Sequence, residues 1–188
     1  MIGRFPIGFY KLSKQQKLSL DLLTILDRMV DIHSEKNPAG PPEGWATQAA
    51  AYDDFWEACP ALILPDVDQP SLNKLVGCAI FLYCSTVISN MITRNSKPMW
   101  IRDKLTRLLL KCTLIREPDE EDCIFWVWSV AVSAWTGPSG SLLPPGAILV
   151  EGQKRRFPKI VTTDQALKIC KGFAWDAKLI LPAPGFFT

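Results

Sequence analysis

Two stretches without a charged side chain constrain this chain more than any other feature of its sequence. The first runs from Leu75 to Thr93 and the second from Cys123 to Trp135. A helix that is apolar on nearly all sides is buried in a protein core or in a bilayer. The first stretch contains several hydroxyl and amide residues, and the second is shorter than the roughly 20 residues that a membrane-crossing helix needs. We therefore expect two central core helices and no membrane contact.

Small hydroxyl residues recur four positions apart on both of these helices. Ser85 and Ser89 share one side of the first, and Ser129 and Ser133 share one side of the second. A helical serine can donate to the carbonyl four residues earlier, which satisfies its hydroxyl in a dry interior. Small residues also let helix axes approach closely. We predict that the two uncharged helices pack against each other at the centre of the domain.

Apolar residues at helical spacing, together with capping residues, predict the remaining helices. Ser19 and Ser71 suit N-cap positions, and Thr162 with Gln165 suits a capping box. No alternating pattern typical of a strand is visible, and 188 residues with 48% apolar side chains suit one domain. The sequence therefore predicts an all-α fold and a single irregular domain over residues 1–188. It comprises about six helices: Leu20–His33, Thr47–Ala58, Leu72–Thr93, Pro98–Ile115, Pro118–Trp135 and Thr162–Trp175.

Proline and glycine in residues 37–44, 59–70 and 137–158 predict loops between these helices. The last of these loops holds the basic cluster Lys154, Arg155 and Arg156, which we expect to be exposed. A basic cluster suits a nuclear import signal, a phosphate contact or a partner contact, but a loop that is merely solvated is the simpler interpretation. Phe157, which follows the cluster, is expected to insert into the core and anchor the loop.

The sequence offers no pattern of catalytic or metal-binding residues. The single histidine, His33, lies at the end of an amphipathic helix, and Ser139 lies in a Gly-Pro-Ser-Gly turn. The carboxylates between Asp119 and Asp122 suit the positive end of a helix dipole. Six cysteines without a Cys-x-x-Cys motif or a secretory signal indicate reduced thiols inside the cell. We expect no catalytic residue, no metal and no cofactor, and a nuclear or cytoplasmic location.

The charge balance argues against DNA binding by this chain alone. The sequence has 21 basic and 19 acidic residues, giving a net charge of +2. Phosphate contacts dominate the affinity of proteins for DNA, and a chain with this balance has no overall field that attracts them.

Four tryptophans near the second half of the chain are candidates for a ligand pocket. Trp126, Trp128, Trp135 and Trp175 could line such a cavity, but core packing explains them more readily.

Several strings of residues resemble, in order, the C-terminal all-helical regulatory domain of fungal zinc-cluster transcription factors. These strings are Gly8–Leu12, Lys17–Ser19, Cys78–Met91, Pro98–Leu110, Cys123–Trp135, Arg155–Phe157 and Phe173–Trp175. The resemblance implies a non-catalytic regulatory module that contacts another protein, a small effector or a second copy of itself.

The same resemblance does not extend to DNA recognition. Full-length members of that family begin with a binuclear zinc cluster, whose six closely spaced cysteines and basic stretch are absent here.

The alternative function is a helical domain that binds, or acts on, a small apolar metabolite in a tryptophan-lined cavity.

Overall fold

The computed structural model describes residues 5–34, 70–92, 99–113, 117–136 and 141–174. These residues contain no strand, only an isolated antiparallel bridge between Thr136 and Leu142. The all-α prediction is therefore confirmed. The predicted helix Thr47–Ala58 lies outside the described residues, as do the side chain of His33 and residues Ser139 and Trp175. The helices are α1 (Ile7–Lys14), α2 (Leu20–Ser34), α3 (Leu72–Ile92), α4 (Met99–Lys111), α5 (Pro118–Ala134), α6 (Pro144–Arg156) and α7 (Thr163–Lys171).

Helices α3 and α5, which contain the two uncharged stretches, form the centre of the structure. Their contact is the most extensive between any two described helices, and α5 also touches α1, α4, α6 and α7. Every side chain from Cys123 to Ala134 is buried. The predicted central pair is thus confirmed. None of the described helices combines the length and the apolar character that a membrane crossing requires.

Two serine hydroxyls of the central helices, those of Ser85 and Ser129, are satisfied by backbone carbonyls. Ser129 donates to the carbonyl of Phe125 at 3.0 Å, and Ser85 donates to that of Leu82 at 2.9 Å. The second bond spans three residues instead of the predicted four. Ser129 also accepts a hydrogen bond of 3.0 Å from the buried amide of Gln153, which connects α5 to α6.

The predicted helix caps are present. The Ser19 hydroxyl accepts from the Leu22 N–H and the Ser71 hydroxyl from the Lys74 N–H, both at 3.3 Å. Thr162 starts α7 with the predicted capping box. The predicted end of this helix at Trp175 is wrong, because α7 ends at Lys171.

Helix α1 is an element that the sequence did not predict. It has only two turns, and it buries Phe9 and Leu12 completely. Its end is closed by Gln16 in the left-handed conformation, with φ of 57°. The N–H of Lys17 then reaches back to the Leu12 carbonyl at 3.0 Å, as in a Schellman motif.

The predicted loop over residues 137–158 is wrong for most of its length. Residues Pro144–Arg156 form α6, with proline in the first turn. Proline is compatible with this position because the first N–H groups of a helix have no partner inside it. Lys154, Arg155 and Arg156 therefore occupy a helical last turn and not a loop. Phe157 is buried as predicted and lies edge-on to the Phe125 ring, with centroids 5.2 Å apart.

Candidate functional site

Trp126 lies in the core, where two aromatic rings and a backbone carbonyl contact its indole. Its ring lies edge-on to Phe9, with centroids 5.2 Å apart, and stacks on Phe173 at 6.0 Å. The indole N–H donates to the backbone carbonyl of Ala174 at 2.7 Å. The side chain is fully buried and its polar atom is satisfied.

Trp135 is also satisfied by neighbouring side chains. Its indole N–H donates to the Thr106 hydroxyl at 2.9 Å. The guanidinium carbon of Arg102 lies 3.6 Å from the centroid of the indole ring, in cation–π geometry. These contacts fix α4 against the end of α5.

Trp128 packs against α6. Its six-membered ring faces Gly152 so closely that a Cβ at that position would lie 2.6 Å from it. Its buried indole N–H has no hydrogen-bond partner among the described residues. Trp126, Trp128 and Trp135 thus contribute to the core, and none of them lines the cleft described below.

The basic cluster at the end of α6 is not uniformly exposed. Arg156 is half-buried and its guanidinium donates to the backbone carbonyl of Cys112, just beyond α4. Arg155 is exposed, and its Nε donates to the Glu151 carbonyl of the same helix at 3.3 Å. Arg156 therefore joins two helices, while Arg155 projects into solvent.

One side of α4 carries large apolar side chains in contact with solvent. Met99 is 59% exposed, Trp100 46% and Leu110 51%. Met99 and Leu110 are three helical turns apart and so lie on the same side. Asp103 and Arg107, both exposed, lie between them, and neither forms an ion pair within the described structure. We refer to these five residues as the α4 face.

A cleft of about 220 Å³ lies between α1, the first turn of α5 and the end of α7. The Gly8 N–H donates to the Gly172 carbonyl at 2.6 Å across its base. A Cβ on Gly8 would lie 2.5 Å from the Phe173 ring, so α1 approaches this closely only because residue 8 is glycine. Ile7 and Ile169 complete the apolar part of the cleft.

Two of the four charged residues at the cleft neutralise each other. Lys11 forms an ion pair of 3.4 Å with Asp119. The other carboxylate oxygen of Asp119 accepts a hydrogen bond of 2.9 Å from the Gln15 amide. This group is therefore internally satisfied.

The other two charged residues, Asp122 and Lys168, are not satisfied in this way. Neither forms a hydrogen bond or an ion pair in the described parts of the chain. Partial burial raises the pKa of the Asp122 carboxyl, and the neighbouring carboxylates of Asp119 and Glu121 raise it further. The ammonium of Lys11 opposes this shift. The cleft thus presents one carboxylate and one ammonium, both exposed to solvent and both without a partner among the described residues.

The buried cysteines are poor nucleophiles. Burial raises the pKa of the Cys78 and Cys170 thiols to about 12 and that of Cys123 still higher. A thiol reacts as its thiolate, so these groups stay inert near neutral pH. Within the described ranges, no three His, Cys, Asp or Glu side chains are grouped as a metal site would require.

Comparison of the chain with protein-family models, curated proteins and solved structures gives no match. The resemblance to the fungal regulatory domain therefore stays a prediction. The sequence reasoning missed both the α4 face and the cleft. Exposed apolar positions at Met99 and Leu110 follow from the helical spacing of α4 and are a signal that could have been used. The cleft has no such signal, because its walls come from distant parts of the chain.

Proposed function

We propose that this chain is a non-catalytic regulatory module that contacts another protein, similar in role to the regulatory domain of fungal zinc-cluster transcription factors. The observation that supports this proposal best is the α4 face. It places tryptophan, methionine and leucine in solvent beside an unpaired aspartate and arginine. Nuclear location and transcriptional regulation belong to the same proposal.

The composition of the α4 face favours a protein partner. Tryptophan, methionine and arginine are enriched in protein–protein interfaces, and tryptophan and arginine dominate their binding energy. Trp100 lies against Phe81 of α3, with ring centroids 6.5 Å apart. A ring that is supported on one side loses little freedom on binding, which favours affinity.

The packing of the tryptophans favours this function over the alternative of an apolar metabolite. Trp126, Trp128 and Trp135 are in contact with protein groups and bury their rings in the core.

A reporter assay tests the proposal. The full chain is fused to an unrelated DNA-binding domain and its effect on a reporter gene is measured in a fungal cell. We expect transcription to differ from that with the DNA-binding domain alone. Combining Trp100→Ala with Leu110→Ser should abolish the difference, since it removes the apolar centre of the α4 face.

Ile148→Ser is the matched control, because Ile148 is an apolar residue of α6 with 55% exposure. This variant should keep full reporter activity, and circular dichroism should show native helix content for all proteins. A fusion that leaves transcription unchanged would refute the proposal. Equal loss of activity in the control and the α4 variant would show that the α4 face is not the contact.

A further inference from the structure

We propose that the cleft between α1, α5 and α7 binds a small zwitterion of the apolar α-amino-acid class. In this arrangement Asp122 holds the ligand's ammonium group and Lys168 holds its carboxylate. The inference goes beyond the proposed function and does not depend on it, because no residue of the α4 face lines the cleft.

The charges of the cleft define the class of ligand. Lys11 and Asp119 are paired with each other, so they offer no uncompensated charge. Asp122 and Lys168 remain, one of each sign, without a partner among the described residues and without an ion pair between them. A ligand that carries both an ammonium and a carboxylate satisfies both groups at once. A ligand with a single charge leaves one of them unsatisfied.

The apolar surface and the size of the cleft restrict the ligand further. Ile7 and Ile169 provide a surface for a hydrocarbon side chain beside the Phe173 ring, which is itself buried. The volume of about 220 Å³ accommodates a single amino acid. An aliphatic amino acid such as leucine matches both the charges and the surface.

The surroundings of Asp122 favour a cation beside it. The carboxylates of Asp119 and Glu121 repel its charge, and the ammonium of Lys11 compensates only in part. A ligand ammonium supplies a further positive charge beside the carboxylates of Asp119, Glu121 and Asp122 near the start of α5. Binding should therefore lower the pKa of Asp122.

Titration followed by ¹⁵N–¹H correlation spectra tests the site on the full chain. L-leucine at millimolar concentration should shift amide signals of residues at the cleft in a saturable manner. Leucinamide lacks the carboxylate and 4-methylpentanoate lacks the ammonium, so each should bind about fivefold more weakly, as the loss of an exposed ion pair predicts. Glycine, which lacks the side chain, should also bind more weakly. Equal shifts with all four compounds, or no saturable shift with leucine, would overturn the proposal.

Two variants assign the charges individually. Lys168→Gln should weaken leucine about fivefold but leave leucinamide unaffected. Asp122→Asn should weaken leucine similarly but leave 4-methylpentanoate unaffected. Lys171→Gln and Asp164→Asn change exposed residues of α7 outside the cleft and should bind leucine like the wild type. Equal losses in these control variants, or unchanged leucine affinity in both cleft variants, would refute the assignment.

Discussion

The contact between Gly152 and Trp128 sets how closely α6 approaches α5. A Cβ at position 152 would lie 2.6 Å from Cη2 and 2.8 Å from Cζ3 of the indole. Both atoms belong to the outer edge of the six-membered ring, and Trp128 is only 2% exposed. The ring therefore has no free space into which it can move when residue 152 gains a methyl group.

Two opposing effects determine the stability of Gly152→Ala. Alanine is favoured over glycine inside a helix by about 1 kcal/mol, whereas overpacking a core costs about 1–3 kcal/mol. We expect the free energy of unfolding to fall by about 1 kcal/mol, since the larger cost exceeds the gain in helix propensity.

A second change reverses the sign of this effect. Trp128→Phe removes the outer edge of the indole together with an N–H that has no partner in the described structure. In the Trp128→Phe background the new methyl group has room, so Gly152→Ala should stabilise the protein by about 0.5–1 kcal/mol through helix propensity. The two changes should therefore be coupled by about 2 kcal/mol, within the range seen for residues in contact.

Urea denaturation, followed by far-ultraviolet circular dichroism, measures all four proteins of this cycle. A common slope of the free energy against urea concentration validates the comparison. If Gly152→Ala stabilises the wild-type background, or if the two changes are simply additive, α6 does not pack on Trp128 as described.

Three further predictions concern the helix end at Gln16, the polar contact inside the core and the buried thiols. Gln16→Gly should raise the free energy of unfolding by about 0.5–1 kcal/mol in the same urea assay, because glycine adopts a φ of 57° without strain; a loss of stability would contradict the Schellman geometry. Ser129→Ala should lower the free energy of unfolding by about 1–3 kcal/mol, since the buried amide of Gln153 loses its acceptor. An unchanged midpoint of urea denaturation would show that this hydrogen bond contributes nothing. Burial raises the pKa of the Cys170 thiol to about 12. This thiol should therefore resist alkylation by iodoacetamide at mildly alkaline pH unless urea is added, as measured by mass spectrometry. Rapid alkylation of the folded protein would show an accessible thiolate.

The elements that the sequence predicted well depend on local patterns. Helix α5 follows from an acidic first turn and an uninterrupted apolar run, and both of these are visible in consecutive residues. The start of α7 follows from its capping box, which involves residues only three positions apart. No knowledge of the rest of the fold is needed for either.

The helices that were missed depend on contacts from elsewhere in the chain. Helix α1 is too short to be stable alone, and it is held by the approach of Gly8 to Phe173 and by the ion pair of Lys11 with Asp119. Helix α6 was hidden by its initial prolines and by Gly152, which local propensity counts against a helix. In the structure, the lack of a Cβ at Gly152 is what lets the Trp128 ring lie against α6.

The candidate sites were less predictable than the fold. The cleft brings together residues near positions 8, 120 and 170, and no pattern in the sequence links segments that far apart. The basic residues at 154–156 were recognised as a cluster, but the role of Arg156 in joining α6 to Cys112 required the packing of the two helices.

The proposed contact of the α4 face with a regulatory partner is tested most directly by cross-linking in the cell. Trp100 is replaced by a photoreactive phenylalanine analogue, and Ile148 is replaced in the same way as the control. Both positions are exposed and apolar, so both variants should fold and react equally well with an unspecific neighbour. We expect illumination to join position 100, and not position 148, to a protein of the transcription apparatus. No product at position 100, or the same products at both positions, would contradict the proposed role of the α4 face.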